Sequence, residues 1–330
     1  MENQEVKVSI LCLAFNHEKY IRQALESFVS QQCDFPYEVL VHDDASTDKT
    51  ADIIAEFARR YPDIIRPIFQ KENQHSKKVP IWKTHVVPLI RGKYVAMCEG
   101  DDYWTDPLKL QKQYDIMEQN SDCTMCVHKV HDVNEDGTPT KHFRPSIALE
   151  EGKLDTAAFL KIHPTYPFQT TSYFMRADVW IAYINDPPLF RLLSDVGDEP
   201  MVLNMAAEGN IYYLADCMSA YRKFSVGSWS SSTKKNTQKH LVHAKKMYDM
   251  MCAYNEYTGN RFDCNLQFYR CRVLWLEKNF KELVKKENAP GMKRFSVRMR
   301  IYAYVCSVFP FVHTVREKTR ALLKGGKHGA

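Results

Sequence analysis

The chain has 330 residues, 45% hydrophobic and 26% charged, which is enough apolar surface for a sizeable core and excludes wholesale disorder. Its net charge of +5 is uneven: residues 291–330 hold nine Lys/Arg against Glu317, a segment at +8, which leaves 1–290 at −3 and argues against a nucleic-acid binder. Ten scattered cysteines, no leader-like start and no apolar run of about 20 residues exclude a disulfide scaffold and a spanning helix, and the expectation is a cytoplasmic, reducing compartment.

Val8–Ala14 (VSILCLA) is a continuous apolar run of strand length, as a strand buried on both faces requires. Helical spacing follows at Tyr20, Ile21, Ala24, Leu25, Phe28 and Val29. Glu38–His42 predicts a second strand, closed by the polar run 43–48, and Thr50–Tyr61 a second helix capped by Asp48 or Thr47. Ile64–Phe69 predicts a third strand, Trp82–Arg91 a helix stopped at Gly92, and Lys93–Cys98 a fourth strand. This alternation predicts a parallel sheet with helices on both faces. Next come an amphipathic helix at Leu108–Gln119, a strand near Thr124–Val133 and a turn at Glu135-Asp136-Gly137. Residues 150–230 mix short helices and strands, and 233–285 read as two helices broken near 257–260.

In an open parallel sheet, ligands bind beyond the carboxyl ends of the strands. Polar clusters fall at those ends: Phe15-Asn16-His17, Asp43-Asp44, and Glu99-Gly100-Asp101-Asp102; Asp198-Glu199 lies later in the chain. Three carboxylates in four residues repel one another unless solvated or neutralised by a cation, and Gly100 lets backbone approach a ligand. Taken alone that cluster reads as a solvated acidic turn, but its place directly after a buried strand, followed by Tyr103-Trp104, favours a hard divalent ion shared with phosphate oxygens; helix capping accounts for one of Asp43 and Asp44 but not both. Cys123-x-x-Cys126 with His128 and His131 has zinc-type residues, but a strand points alternate residues to opposite faces, so packing is the expectation there.

VSILCLAFNHEKYIRQALESFVSQ (8–31), EVLVHDDASTDKT (38–50) and GKYVAMCEGDDYWTDPLKLQKQ (92–113) together strongly resemble the family 2 glycosyltransferases. The usual opening, V-S-I-I-I-P-x-Y-N-x-E-x-Y-I, is matched at Val8-Ser9-Ile10, Asn16, Glu18 and Tyr20-Ile21, and departed from at Leu13 and Phe15. The D-D-x-S-T-D block is intact at 43–48, and the D-x-D motif stands as Glu99-Gly100-Asp101 followed by Asp102. Gly197-Asp198-Glu199-Pro200 resembles the segment carrying the catalytic base, and Tyr221, Arg222, Gly227 and Trp229 the family's Y-R-x-H…G-x-W ending, with Phe224 where His is common. No Q-x-x-R-W follows, so a processive polysaccharide synthase is not expected.

The resemblance implies an α/β GT-A fold, a mostly parallel central sheet flanked by helices with a C-terminal helical extension. The expected division is 1–230 as the glycosyltransferase domain (1–110 nucleotide-sugar half, 111–230 acceptor half), 231–290 as helical extension, and 291–330 as a basic aromatic tail. It implies an inverting transfer of one hexose or N-acetylhexosamine from a nucleotide-diphosphate sugar, expected to be a UDP-sugar, to a glycan or lipid-linked oligosaccharide. Leu13, Ala14, Phe15, Asn16, Glu18, Asp43, Asp44, Glu99, Gly100 and Asp101 become candidates for the nucleotide-sugar site, with Asp44 accepting from a base N–H and Phe15 stacking on it. Lys83 is a candidate for positive charge beside the diphosphate, or a plain surface lysine. Asp102 and Asp101 would hold Mn²⁺ or Mg²⁺, with Glu99 leaving the ligand set open, and Asp198 would be the general base. Trp104, Glu199, Arg222 and Trp229 are placed on the acceptor side. The competing readings are a nucleotidyltransferase, for which LAFNHEKY lacks the glycine-rich phosphate loop, and an inactive sugar-nucleotide-binding scaffold, against which the intact acids argue. Ile301–Val315, apolar and aromatic between basic flanks, predicts attachment to an anionic membrane surface, with the inner face of the cytoplasmic membrane as the expected location.

Overall fold

The computed structural model describes residues 5–165, 167–223 and 237–315. The chain forms two compact units, 1–188 with 196–232, and 189–195 with 233–330.

The first unit is built on one sheet. β1 (Val8–Ala14), β2 (Tyr37–Asp43), β3 (Ile65–Phe69) and β4 (Tyr94–Met97) lie side by side in the order β3-β2-β1-β4, all parallel. Beyond β4 the sheet becomes mixed. It runs through β9 (Phe174–Arg176), β6 (Cys123–Val133), β10 (Asn210–Arg222) and β5 (Tyr103–Trp104), with β7 (Pro139–Arg144) on β6 and β8 (Gly152–Leu154) on β10. β9 is antiparallel to both β4 and β6, whereas β10 is parallel to β6. The apolar run of β1 is buried at all but one position, as a central strand demands. Helix α1 (Ile21–Val29) buries Ile21, Ala24, Leu25 and Phe28, and α2 (Thr50–Arg60) buries Ile54 and Phe57, the faces that their spacing predicts.

The third crossover differs from the expectation. Instead of a helix over 82–91, the chain makes a π turn at Trp82–Val86 running into a 3-10 turn at Val87–Leu89. Pro88 has no amide to donate and its ring clashes with the preceding turn, so a regular helix cannot pass through it. The chain then enters β4 at Gly92, where a Cβ would lie 2.5 Å from the Ser9 amide nitrogen, so only glycine fits. Buried Glu38 ties this corner together. It accepts from the Ser9 hydroxyl at 2.7 Å and from Arg91 Nε at 2.7 Å, and pairs with Arg66.

In the second unit, helices Thr237–Tyr257 and Asp263–Leu276 are separated by a break where Gly259 (φ 76°) and Asn260 (φ 59°) take left-handed conformations. Cys271, Leu283, Met292, Ala303 and Cys306 form its core. Among the described residues no helix is long and apolar enough to cross a membrane. Cys123 and Cys126 are free thiols buried in the core, as the packing reading expects.

Lys109 opens α3 (Lys109–Gln119) and is fully buried, its ammonium 3.9 Å from the Trp104 ring centroid and donating to Gln113 Oε1 at 2.7 Å. Burial drives it down to about 7. The folded value lies below that of a free lysine, so the unfolded chain binds more protons between pH 7 and pH 10, and stability rises with pH across that window. Lys109→Met removes the charge penalty. We expect urea unfolding to show a gain of about 1–3 kcal/mol at pH 7 that shrinks towards pH 10; an equal gain at both pH values would contradict the account.

Candidate active site

Three loops meet at the carboxyl ends of β1, β2 and β4. The first two are stitched together. Asn16, in the left-handed region (φ 55°), donates its amide to Ser46 Oγ at 2.9 Å and accepts the Thr47 amide at 2.8 Å. Glu18 accepts the Lys49 amide at 3.1 Å and donates its own amide to Asp48, which in turn accepts the Thr50 amide at 2.9 Å at the start of α2. Asp43 is spent inside its turn, accepting from the Ser46 hydroxyl at 2.5 Å and amide at 3.2 Å. Asp44 is buried, and its two oxygens accept the backbone amides of Gln74 at 2.7 Å and His75 at 3.0 Å. Each of those oxygens retains a second lone pair. Phe15 follows Leu13 and Ala14 out of β1 and stands 43% exposed, so its face is available. Lys83 sits on the π turn, with its ammonium on the Asn185 carbonyl at 2.9 Å.

The third loop carries the carboxylates. Past β4 the chain stays bonded to β1, with the Gly100 amide donating to the Leu13 carbonyl at 2.9 Å. A side chain at Gly100 would come within 2.9 Å of His17 and Ile21, so glycine lets this turn lie flat against β1 and α1. The Asp102 amide then closes the turn on the Glu99 carbonyl at 3.0 Å. Carboxylate oxygens of Glu99, Asp101 and Asp102 fall within 4.8 Å of one another, the one such group of His, Cys, Asp or Glu side chains among the described residues. Asp102 Oδ1 accepts the Arg222 amide at 2.7 Å, while Oδ2 is buried with no hydrogen-bond partner. Burial first, then the charges of Asp101 and Glu99, push Asp102 well above the usual carboxylate range. Glu99 keeps solvent access yet is enclosed by protein, the signature of a cleft wall; enclosure and the charges of Asp101 and Asp198 push it up.

Asp198 is the first residue of helix Asp198–Glu208 and is exposed. Its charge acts on Glu99 and Tyr173, a long-range influence between segments a hundred residues apart in sequence. Glu199 is buried and pairs with His163 at 3.2 Å; with Asp198 it lines a narrow cleft walled by Phe159, Phe168 and Tyr173.

Two acceptor-side expectations are corrected. Trp104 is 4% exposed: its indole donates to the Thr171 carbonyl at 3.1 Å and its ring packs edge-on to Phe28, so the core holds it and no acceptor can reach its face. Arg222 is 4% exposed and fastens the sheet to the cluster rather than facing an acceptor. Its guanidinium donates to the Asp101 carbonyl at 3.0 Å and to Gln23 Oε1 at 2.8 Å, between the rings of Tyr20 and Tyr103. Trp229 lies outside the described residues, as do Phe224, Gly227 and positions 316–330 of the basic tail. Sequence reasoning missed the backbone amides of Gln74 and His75 and the Tyr20–Arg222–Tyr103 stack. None follows a spacing rule, because each joins segments remote in sequence.

Residues 9–181 match the sequence family described as Glycosyl transferase family 2. An uncharacterized protein of Mycobacterium tuberculosis is 35% identical over 229 residues, 68% of this chain and 61% of the relative, so the chain spans about three fifths of the length of that relative. Among solved structures, S. aureus TarS 1–349 in complex with UDP-GlcNAc aligns with a TM-score of 0.57 at 18% identity, over 87% of this chain and 79% of that one. The mannosyltransferase PcManGT from Pyrobaculum calidifontis, in complex with GDP-Man and Mn²⁺, aligns with a TM-score of 0.52 at 11% identity, over 93% and 88%. At these identities the likeness is one of fold, the GT-A fold.

The Arg222 clamp gives a direct test. Arg222→Ala should cost about 2–4 kcal/mol in chemical denaturation, since it removes a buried cation with its hydrogen bonds and stacking. Arg222→Lys should recover less than half of that, because an ammonium cannot reproduce the planar fork; full recovery by lysine would refute the clamp.

Proposed function

The chain belongs to glycosyl transferase family 2, and from that premise we propose that it transfers one sugar from a UDP-sugar to a hydroxyl of a glycan or lipid-linked oligosaccharide, with inversion at the anomeric carbon. The observation that carries the reading is the convergence of Glu99, Asp101 and Asp102 with an unpartnered, buried Asp102 Oδ2 and with Asp198 close enough to act on Glu99. A buried carboxylate oxygen without a donor is costly unless a cation completes it, and an all-oxygen set suits Mn²⁺ or Mg²⁺. Asp102 and Asp101, with Glu99 beside them, are the residues that would hold it. When bound, such an ion offsets the negative charge that grows on the leaving diphosphate.

The chain's own groups do the rest. The exposed face of Phe15 stacks on the base, and Asp44, already braced by two amides, accepts the base N–H with a remaining lone pair. Asp198 takes the proton of the acceptor hydroxyl as its oxygen attacks the anomeric carbon. The bond to the diphosphate breaks on the opposite side, leaving the new glycoside, the nucleoside diphosphate and a protonated Asp198. TarS bound to UDP-GlcNAc, on the same fold, supports a UDP-sugar.

The donor assignment is tested by melting temperature with UDP, GDP, CMP and dTDP, each with Mn²⁺ or EDTA. We expect a Mn²⁺-dependent rise with UDP alone that Asp102→Ala abolishes. The Mn²⁺ effect should strengthen from pH 6 to pH 8, because Glu99 and Asp102 are pushed up and must shed protons to ligate. Asp198→Asn should keep the UDP shift and lower kcat by about 10²–10⁴-fold. A folded protein with no nucleotide shift would sink the donor site.

The proposal extends to a peripheral location on the inner face of the cytoplasmic membrane. Helix Val297–Val308 exposes Val297, Ile301, Tyr304, Val305 and Val308 while burying Ala303 and Cys306. At 100° per residue the exposed set forms a stripe roughly 100° wide, flanked on either side by Arg298 and Arg300. That geometry suits an anionic lipid surface. The full chain should sediment with phosphatidylglycerol vesicles and not with phosphatidylcholine, and Ile301→Ser with Val308→Ser should reduce the bound fraction several-fold; no sedimentation with either lipid would end this part of the reading.

A further inference from the structure

A second polar site lies at the end of β10, against the β6–β7 hairpin. It is an open pocket of about 630 Å³, within the roughly 300–1,000 Å³ typical of ligand sites. Thr140, Lys141, His142, Arg144, Tyr221 and Lys223 line it. Its cations are preorganised by a buried acid. Asp132, 2% exposed, holds Arg144 Nε at 3.2 Å on one oxygen and Lys223 Nζ at 2.5 Å on the other. The Arg144 guanidinium also lies 5.8 Å from the Tyr221 ring centroid. Asp132 balances one of the three cations on the wall, Lys141, Arg144 and Lys223. Glu135 and Asp136 of the hairpin turn are not on the pocket wall; Glu135 accepts from the Tyr20 hydroxyl at 2.9 Å and Asp136 from Thr138 at 2.7 Å.

The position matters as much as the charge. Tyr221 precedes Arg222, whose amide holds Asp102, and the Tyr221 phenol sits in the fields of Asp102 and Glu99 and of Arg144. One pocket-wall residue, Tyr221, is thus adjacent along β10 to the residue that holds Asp102.

We propose that this pocket binds a phosphate group carried by the acceptor, so that the accepted glycan bears a phosphate next to the sugar that receives the transfer. Arg144 offers a planar fork and Lys141 and Lys223 point charges, the combination that recognises a tetrahedral, multiply charged oxyanion better than a single carboxylate. Tyr221 supplies a face for the adjoining sugar or polyol. The proposal rests on the glycosyltransferase reading for its meaning, but the anion site can be measured apart from it.

The test uses the full chain and titration calorimetry with inorganic phosphate, glycerophosphoglycerol as a soluble phosphodiester, glucuronate, and phosphatidylglycerol vesicles. Lys141→Glu combined with His142→Glu is the variant, chosen because both side chains are exposed. We expect phosphate and the phosphodiester to bind, the variant to weaken both by tenfold or more, and the Mn²⁺-dependent UDP melting shift to remain. Phosphate affinity absent, or unchanged in the variant, overturns the site. Binding of glucuronate in preference to phosphate overturns the phosphate assignment, and binding of vesicles without the soluble diester makes it a headgroup site and overturns the acceptor role. Loss of the UDP shift with intact, variant-sensitive phosphate binding would remove the donor reading and leave the anion site standing.

Discussion

The Asp102–Arg222 contact is the constraint on which the site depends. One carboxylate oxygen takes a backbone amide from a strand 120 residues away, and the same residue's guanidinium reaches back to the Asp101 carbonyl and Gln23. Tyr20 and Tyr103 hold that guanidinium between their rings. Strand β10 is thereby fixed against the turn after β4. Because Oδ1 is committed to the amide, Oδ2 is left as the free, buried valence of the cluster. An aspartate with both oxygens satisfied would have no reason to wait for a cation.

A similar economy runs through the nucleotide side. Asn16, Glu18, Asp43 and Asp48 are polar residues at strand ends, where a ligand is expected. Most of their hydrogen-bonding capacity goes to backbone amides in the adjoining loop. They shape the cleft, while Phe15 and the outer lone pairs of Asp44 are what it presents. Like-charge crowding at Glu99, Asp101 and Asp102 is tolerated because burial and mutual repulsion favour protonated carboxyls until something positive arrives.

The corrected expectations share one cause. Trp104 and Arg222 sit in motifs associated with the acceptor side, and a motif does not say which way a side chain faces. Trp104 turns into the core because the two-residue strand β5 pairs with β10, and packing against Phe28 and Lys109 then decides its environment. The third crossover failed for a local reason that the sequence did contain: Pro88 sits inside the stretch whose spacing suggested a helix.

The sequence by itself determined the four strands and the parallel character of the first half of the sheet, the carboxylate-rich loop after β4 and the family. These are carried by apolar periodicity, by turn residues and by short motifs whose members are close along the chain. Only the tertiary structure decided that the charge of Asp198 acts on Glu99, that the amides of Gln74 and His75 occupy Asp44, that Arg222 locks Asp102, and that Asp132 gathers Arg144 and Lys223. The physical reason is that each of these pairs joins residues on different strands or loops. Their meeting is set by strand order and register, which periodicity within one segment does not encode.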